Sequence, residues 1–266
     1  MKYFSKLIRE QQNEVRDLTN IARSITSEKL DAIPKIEGVL LTGSVARGDA
    51  RIGPYGVMID LALVVENKND INLDDIFGKD EEPHIPYHCV TVKGNIGLQI
   101  EVVEKARLFK IREKPESAIF AMNESVIISD RESVLTKWKR ECFIITDAQI
   151  KSRALNNYFR FCYLTGEYRL EKWMSREAFI QIAQIFNEAA ECYCNFLYCI
   201  NRMFIPRKDW LTYLTFELAN KPEKHNFYME QLYTSYPDAN FIIQKSETMR
   251  DIQKWLERYC LDKNWL

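Results

Sequence analysis

The sequence predicts an α+β chain, with a mixed sheet and flanking helices in the N-terminal half and a helical domain behind it. Two observations carry this. Up to about Arg131, short β-branched and Leu-rich runs alternate with turns; beyond it those runs stop and long segments with apolar residues at helical spacing take over. The chain has 266 residues, more than the ~100–200 usual for one domain. The change of pattern falls between 140 and 150, giving domains 1–145 and 146–266.

In chain order, Phe4, Leu7, Ile8, Val15, Leu18, Ile21 and Ile25 mark one amphipathic helix over residues 3 to about 30. After Pro34 the run IEGVLLTG, stopped by Gly43, suits a buried strand. VMIDLALVV (57–65), GLQIEVVE (97–104) and SVIISD (125–130) read as three more. Helices then follow in RESVLTKWKREC, in AQIKSRALNNYFRFCYLT, in one unbroken stretch from Arg176 to Met203, and near 208–219 and 243–260.

Lys and Arg total 37 against 38 Asp and Glu, a net charge of -1. No global field therefore recruits nucleic acid or an anionic membrane. The N-terminus is too polar for a secretory signal and no run approaches the ~18 apolar residues of a membrane span, so a cytoplasmic location is expected. Seven cysteines without a small-scaffold spacing are expected to be mostly free and buried. Between Glu66 and Glu82 lie seven acidic residues and two lysines, read first as a solvated loop and second as a surface for a cationic partner.

The segment that carries chemistry is GSVARGDARIGPYGVMIDLALVV, residues 43–65. It reads as a Gly-Ser turn, a short helix, a loop, and a strand bearing Asp60. Gly43 permits a tight turn and a close approach of backbone to ligand. Ser44 and the following amides stand where N–H groups can meet phosphate, and Arg47 can neutralise phosphate charge. Asp60 sits in an otherwise apolar run, where an unpaired charge is costly without a metal or partner.

On these residues the segment resembles the DNA polymerase beta-like nucleotidyltransferase superfamily, and within it the small-molecule-modifying branch that includes the aminoglycoside and lincosamide enzymes. That branch is marked by G-S-x-A-R-G-x-A, a short loop, then S-D-I-D-L; Gly43, Ser44, Ala46, Arg47, Gly48, Ala50, Ile59, Asp60 and Leu61 match. The resemblance implies a nucleotidyltransferase-type N-terminal domain, with Gly43, Ser44 and Arg47 binding nucleotide. It implies carboxylates that hold Mg²⁺ (or Mn²⁺), Asp60 and Glu101 among them, and a nucleoside triphosphate such as ATP and a small-molecule acceptor as partners. Nucleic acid and membrane are not implied.

One position departs from the pattern. Met58 stands where the first aspartate belongs, and side chains two apart share a strand face. A thioether is a poor ligand for Mg²⁺. Two functions therefore stay open: transfer of a nucleoside monophosphate to a hydroxyl with an incomplete carboxylate set, or an inactive relative that binds nucleotide or a protein partner.

Other residues are weighed beside this motif. Glu188 and Glu191 lie on a largely apolar helix; in the resembled enzymes a helical-domain carboxylate acts as general base, the role expected of Glu188, against a plain salt bridge. Arg202, Arg207 and Lys208 read as triphosphate ligands or as an ordinary basic loop. His84, His88 and Cys89 lack further ligands at zinc spacing and read as loop residues beside a strand. Cys192, Cys194 and Cys199 read as buried thiols.

Overall fold

The computed structural model describes residues 2–233 and 239–266, with side chains described for 13–233 and 243–266. The chain divides into two compact units, Met1–Ile144 and Ile145–Leu266. The architecture is the α+β arrangement that the sequence predicts: a five-stranded mixed sheet with helices, then a run of helices. No described helix is long and apolar enough to cross a membrane.

In the first unit, α1 (Lys2–Ile25) continues into one π-helical turn over Thr26–Leu30. Leu18, Ala22, Ile25 and Leu30 form its buried stripe, while the side chains of Phe4, Leu7 and Ile8 lie outside the described residues. The strands are β1 (Ile36–Thr42), β2 (Val57–Val65), β3 (His88–Lys93), β4 (Ile96–Glu104) and β5 (Val126–Asp130). Their order is β3-β4-β2-β1-β5. β2 and β4 are parallel; the other neighbours are antiparallel. The central strands are buried on both faces, which is why they read as continuous apolar runs.

Alternation sorts the two faces. Ile59, Leu61, Leu63 and Val65 join Leu18 and Ala22 of α1 in one core. The opposite face carries Met58, Asp60 and Ala62 on β2, and Gly38, Leu40 and Thr42 on β1. There α6 (Val134–Cys142) lies against the sheet, because Gly38 leaves room for it: a Cβ at Gly38 would lie 2.5 Å from Leu135 Cδ1. The fully buried Trp138 donates its indole N–H to the Leu108 carbonyl at 2.9 Å. Three short helices complete the unit: α2 (Gly43–Arg47), α3 (Leu73–Phe77) and α4 (Lys105–Leu108), with α5 (Glu116–Asn123) before β5.

β3 has no counterpart among the predicted strands, and it takes up His88 and Cys89, which the sequence places in a loop. The acidic loop before it is not merely solvated. Asp80 Oδ1 accepts the backbone N–H groups of Glu82 and Cys89 at 2.9 and 3.0 Å, and Glu81 accepts the N–H and hydroxyl of Thr91 at 2.9 and 2.8 Å. These bonds hold both carboxyls below the usual carboxylate range. They also occupy backbone donors on an edge strand that would otherwise be open to pairing.

The second unit contains α7 (Asp147–Thr165), α8 (Glu167–Met174), α9 (Phe179–Ile200), α10 (Lys208–Leu214), α11 (His225–Tyr233) and α12 (Ala239–Asp262). Thr146 and Gln149 close a capping box at the start of α7. The stretch predicted as unbroken from Arg176 is interrupted at its start, where Glu177 takes φ 52° and α9 begins only at Phe179. The helix predicted over 208–219 stops at Leu214 and ends in a 3-10 turn, Thr215–Glu217. All seven cysteines are free, and Cys192, Cys194 and Cys199 are buried on α9.

A buried polar cluster lies inside this unit. His225, 1% exposed, meets the Tyr193 hydroxyl through Nδ1 at 2.7 Å and the Thr215 hydroxyl through Nε2 at 2.9 Å. Thr215 donates its own proton to the Thr212 carbonyl. It therefore accepts from Nε2–H, and Tyr193 O–H donates to Nδ1. Burial drives the imidazole pKa down to about 4 and keeps it neutral.

Candidate functional site

β1 ends in extended backbone at Thr42 (φ -124°, ψ -172°), and the chain then turns sharply at Gly43, with φ 67°. Thr42 is the register partner of Asp60 on β2, so Gly43 arrives directly against the Asp60 side chain. A Cβ on Gly43 would lie 1.8 Å from Asp60 Oδ2 and 2.8 Å from its Cγ. Only glycine satisfies both the left-handed backbone and this approach. The helix α2 lasts five residues and ends at Gly48, φ 85°. The Ser44 carbonyl accepts N–H bonds from Gly48, Asp49 and Ala50, which folds that segment back beneath the turn.

Asp60 is half-buried, and burial raises its carboxyl pKa to about 6 against the opposing pull of the Arg47 charge. Arg47 Nε donates to Asp49 Oδ2 at 3.2 Å. The Asp49 side chain is 7% exposed and its Oδ1 has no hydrogen-bond partner among the described residues. Burial raises the Asp49 carboxyl too, with Arg47 acting the other way. Arg47 thus lies between two partly desolvated carboxyl groups.

The register sets what stands beside Asp60. Gln99 of β4 is its partner, and Cys89 of β3 is the partner of Gln99. Thr42, Asp60, Gln99 and Cys89 therefore form one row across four strands of one face. Burial pushes the Cys89 thiol up, and the charges of Asp80, Glu82 and Asp60 add to it. Glu101 pairs with Ala62, two residues further along β4 on the same face as Asp60. It is an exposed residue whose carboxyl is nevertheless raised by desolvation. Met58 pairs with Gly97 and lies over it: a Cβ at Gly97 would be 2.6 Å from the Met58 sulfur. Among the described residues no group of three or more His, Cys, Asp or Glu side chains is gathered as for a metal ion.

The structure thus brings Gly43, Arg47 and Asp60 together, and puts Glu101 on the same face at a diagonal. Glu188 belongs to the helical unit, where Arg160 Nε donates to its Oε1 at 2.8 Å. Glu191 holds Lys208 at 2.9 Å, Arg207 holds Asp209 at 2.7 Å, and Arg202 pairs with Asp147. His84 is exposed beside Glu82 at 3.3 Å, while His88 is buried with Nδ1 3.6 Å from Asp74.

Sequence reasoning missed Gln99 and Cys89 as neighbours of Asp60. Register is not written in a single strand's alternation, but one signal was present. Gly94-Asn95 between VTVK and IGLQIEV is a two-residue hairpin turn, and it places β3 beside β4.

Residues 112–211 match the model of a domain of unknown function, DUF4037. The fold is similar to a solved nucleotidyltransferase-like protein from Exiguobacterium sibiricum 255-15, at 12% identity and a TM-score of 0.43, covering 88% of this chain and 74% of that one. No curated protein matches the chain.

Proposed function

We propose that this protein is a nucleotidyltransferase that transfers a nucleoside monophosphate from a nucleoside triphosphate to a hydroxyl of a small-molecule acceptor. The observation that carries the proposal is the apposition of Gly43 and Asp60. It puts a side-chain-free turn directly against a desolvated carboxylate. In this reading Ser44 and the turn amides hold the β- and γ-phosphates, and Arg47, kept in place by Asp49, answers their charge. The protein's part is charge neutralisation and in-line positioning.

A divalent ion is tested against the residues present. Asp60 and Glu101 share a face, and desolvation raises both carboxyls, for Asp60 against the opposing charge of Arg47. Mg²⁺ commonly takes one or two carboxylates together with substrate phosphates and water, so this pair fits one Mg²⁺ (or Mn²⁺) brought in with the nucleotide. When bound, the ion would neutralise developing charge on the phosphates. The acceptor's proton needs a base; Glu188, the residue expected in that role, belongs to the helical unit and there accepts a hydrogen bond from Arg160.

A second reading has its own support. Met58 packs over Gly97, and neutral Gln99 is the register partner of Asp60, so both positions nearest Asp60 lack a carboxylate. This favours a protein that binds nucleotide without transferring it. Calorimetry with a nonhydrolysable ATP analogue and Mn²⁺, on wild type and Ser44→Trp, tests what the readings share. Binding that Ser44→Trp abolishes is expected; absence of binding at millimolar analogue overturns both. Pyrophosphate release from ATP over a panel of hydroxyl acceptors then separates them.

A further inference from the structure

The helical unit contains a cavity of about 490 Å³ that the proposed nucleotide chemistry does not use. That is within the usual size of a small-molecule site, roughly 300–1,000 Å³. Its floor is apolar, from the buried Ile150 of α7 and Ile200 of α9. One wall is aromatic: Tyr259 of α12 and Trp265 beyond it meet edge to face at 5.9 Å.

The polar groups around this floor are mostly donors. Lys263 lies 5.8 Å from the centre of the Tyr259 ring, and its ammonium has no carboxylate partner among the described residues. The Trp265 indole N–H and the exposed Asn220 side-chain amide are further donors on the lining. Asp147, the one carboxylate of the lining, is already paired with Arg202. Charge on the lining thus amounts to one positive group, the exposed Lys263, beside the Arg202–Asp147 pair. The complementary occupant is an anion.

The cavity is also built rather than incidental. Asn201 donates to the Asn220 carbonyl at 2.8 Å and accepts the Asn220 N–H at 2.8 Å, fastening the loop wall to the end of α9. Arg202 and Asn264, both non-glycine residues at positive φ (58° and 52°), turn the chain at the ends of α9 and α12 so that the walls face each other. The backbone N–H of Trp265 donates to the Cys260 carbonyl at 2.9 Å, which folds the chain back at the end of α12.

We propose that this cavity binds a small ring-bearing anion, its ring against Tyr259 and Trp265 and its acidic group on Lys263. Two sources share that chemistry, an aromatic carboxylate and a nucleoside monophosphate, and benzoate and AMP serve as the probes. The site is independent of Asp60 and stands whether or not the nucleotidyltransferase reading does.

The test follows the indole N–H resonance of Trp265, assigned by its loss in Trp265→Phe, while each probe is added to the full chain. A saturable shift is expected with at least one probe, weakened about tenfold or more by Lys263→Gln. Asp60→Asn should leave it unchanged, which separates this site from AMP held at the Gly43 turn. Lys263 is exposed, so Lys263→Gln should melt as wild type does; Tyr259→Leu, which removes ring contact, gives a second weakened variant. Inorganic phosphate, lacking a ring, should bind more weakly than the better probe. No shift with either probe at millimolar concentration, or a shift indifferent to Lys263→Gln and Tyr259→Leu, overturns the proposal. So does phosphate binding as tightly as both.

Discussion

The α-carbon of Gly43 and the carboxylate of Asp60 are so close that no side chain fits between them; a Cβ there would come within 1.8 Å of Oδ2. The first helical turn after β1 and the acidic residue of β2 are therefore a single steric unit. Their pairing in sequence, seventeen residues apart by number, is a contact in space.

Gly43→Ala is expected to destabilise the first unit for two reasons: the φ of 67° strains alanine, and the new methyl must displace Asp60. Positive-φ strain alone is of order 1–3 kcal/mol. In an Asp60→Ala background the carboxylate is gone and only the strain remains, so the cost should be visibly smaller. Urea melts of the two single variants and the double variant measure the coupling. Additive effects would mean that Gly43 and Asp60 do not touch.

Asp60 itself should weaken the fold at neutral pH. Its carboxyl is raised by burial from 3.8 to about 6, so the native state holds a proton that the unfolded chain releases. Stability is then greatest below pH 3.8 on this account and falls as pH rises towards 6, a difference of about 3 kcal/mol by the usual conversion. Asp60→Asn should accordingly stabilise the protein at pH 7 and lose that advantage near pH 4. Chemical denaturation of both proteins across this range checks the sign.

His225 should give the opposite dependence. Its imidazole is depressed from 6.5 to about 4, because burial disfavours the charged form and both ring nitrogens are already committed. The unfolded chain binds the proton first, so stability is full above pH 6.5 and falls as pH drops towards 4. A loss of order 3 kcal/mol is expected over that window. His225→Gln, which cannot titrate, should be less stable at pH 7 but flatter with acid. NMR titration of the His225 ring tests the pKa itself; an ordinary value near 6.5 would refute the buried, doubly bonded histidine.

Much of this was legible in the chain, and the failures have physical reasons. The runs at Ile36 and Val57 were readable because strands buried on both faces are apolar throughout, and the run at Gly97 because polar Gln99 and Glu101 alternate with buried Leu98 and Ile100; Gly43 and Asp60 interrupt the apolar runs where nothing in packing asks for a turn or a charge. β3 was hidden because its outer half, Thr91 to Lys93, is exposed and looks like loop. The acidic residues before it look like solvent-facing filler until Asp80 and Glu81 are seen holding its backbone. Ion pairs such as Arg160–Glu188 join different helices and leave no local trace, so a helical glutamate reads equally as base or as bridge. Register is the deepest omission: Gln99 as the partner of Asp60 follows from how β2 and β4 align, which neither strand encodes alone.

Position 58 divides the two functional readings. Met58 shares the Asp60 face and rests on Gly97, whose missing side chain leaves the space that the sulfur fills. In Met58→Asp the shorter carboxylate leaves that space empty and stands two residues from Asp60 on the same face. Like charges there raise each other's pKa, and a divalent ion relieves them. The variant should therefore be less stable than wild type without metal, by about 1–3 kcal/mol, and should gain more in melting temperature from Mn²⁺. If the natural protein is a binding protein that lacks a carboxylate, the variant should also bind the Mn²⁺–nucleotide analogue more tightly and release pyrophosphate slowly from ATP. If the natural protein is already an active enzyme with Asp60 and Glu101, the new charge should leave turnover unchanged or lower it. Melting curves with and without Mn²⁺, read together with pyrophosphate release, decide between these outcomes. Equal Mn²⁺ shifts in the two proteins would mean that residue 58 does not face the ion at all.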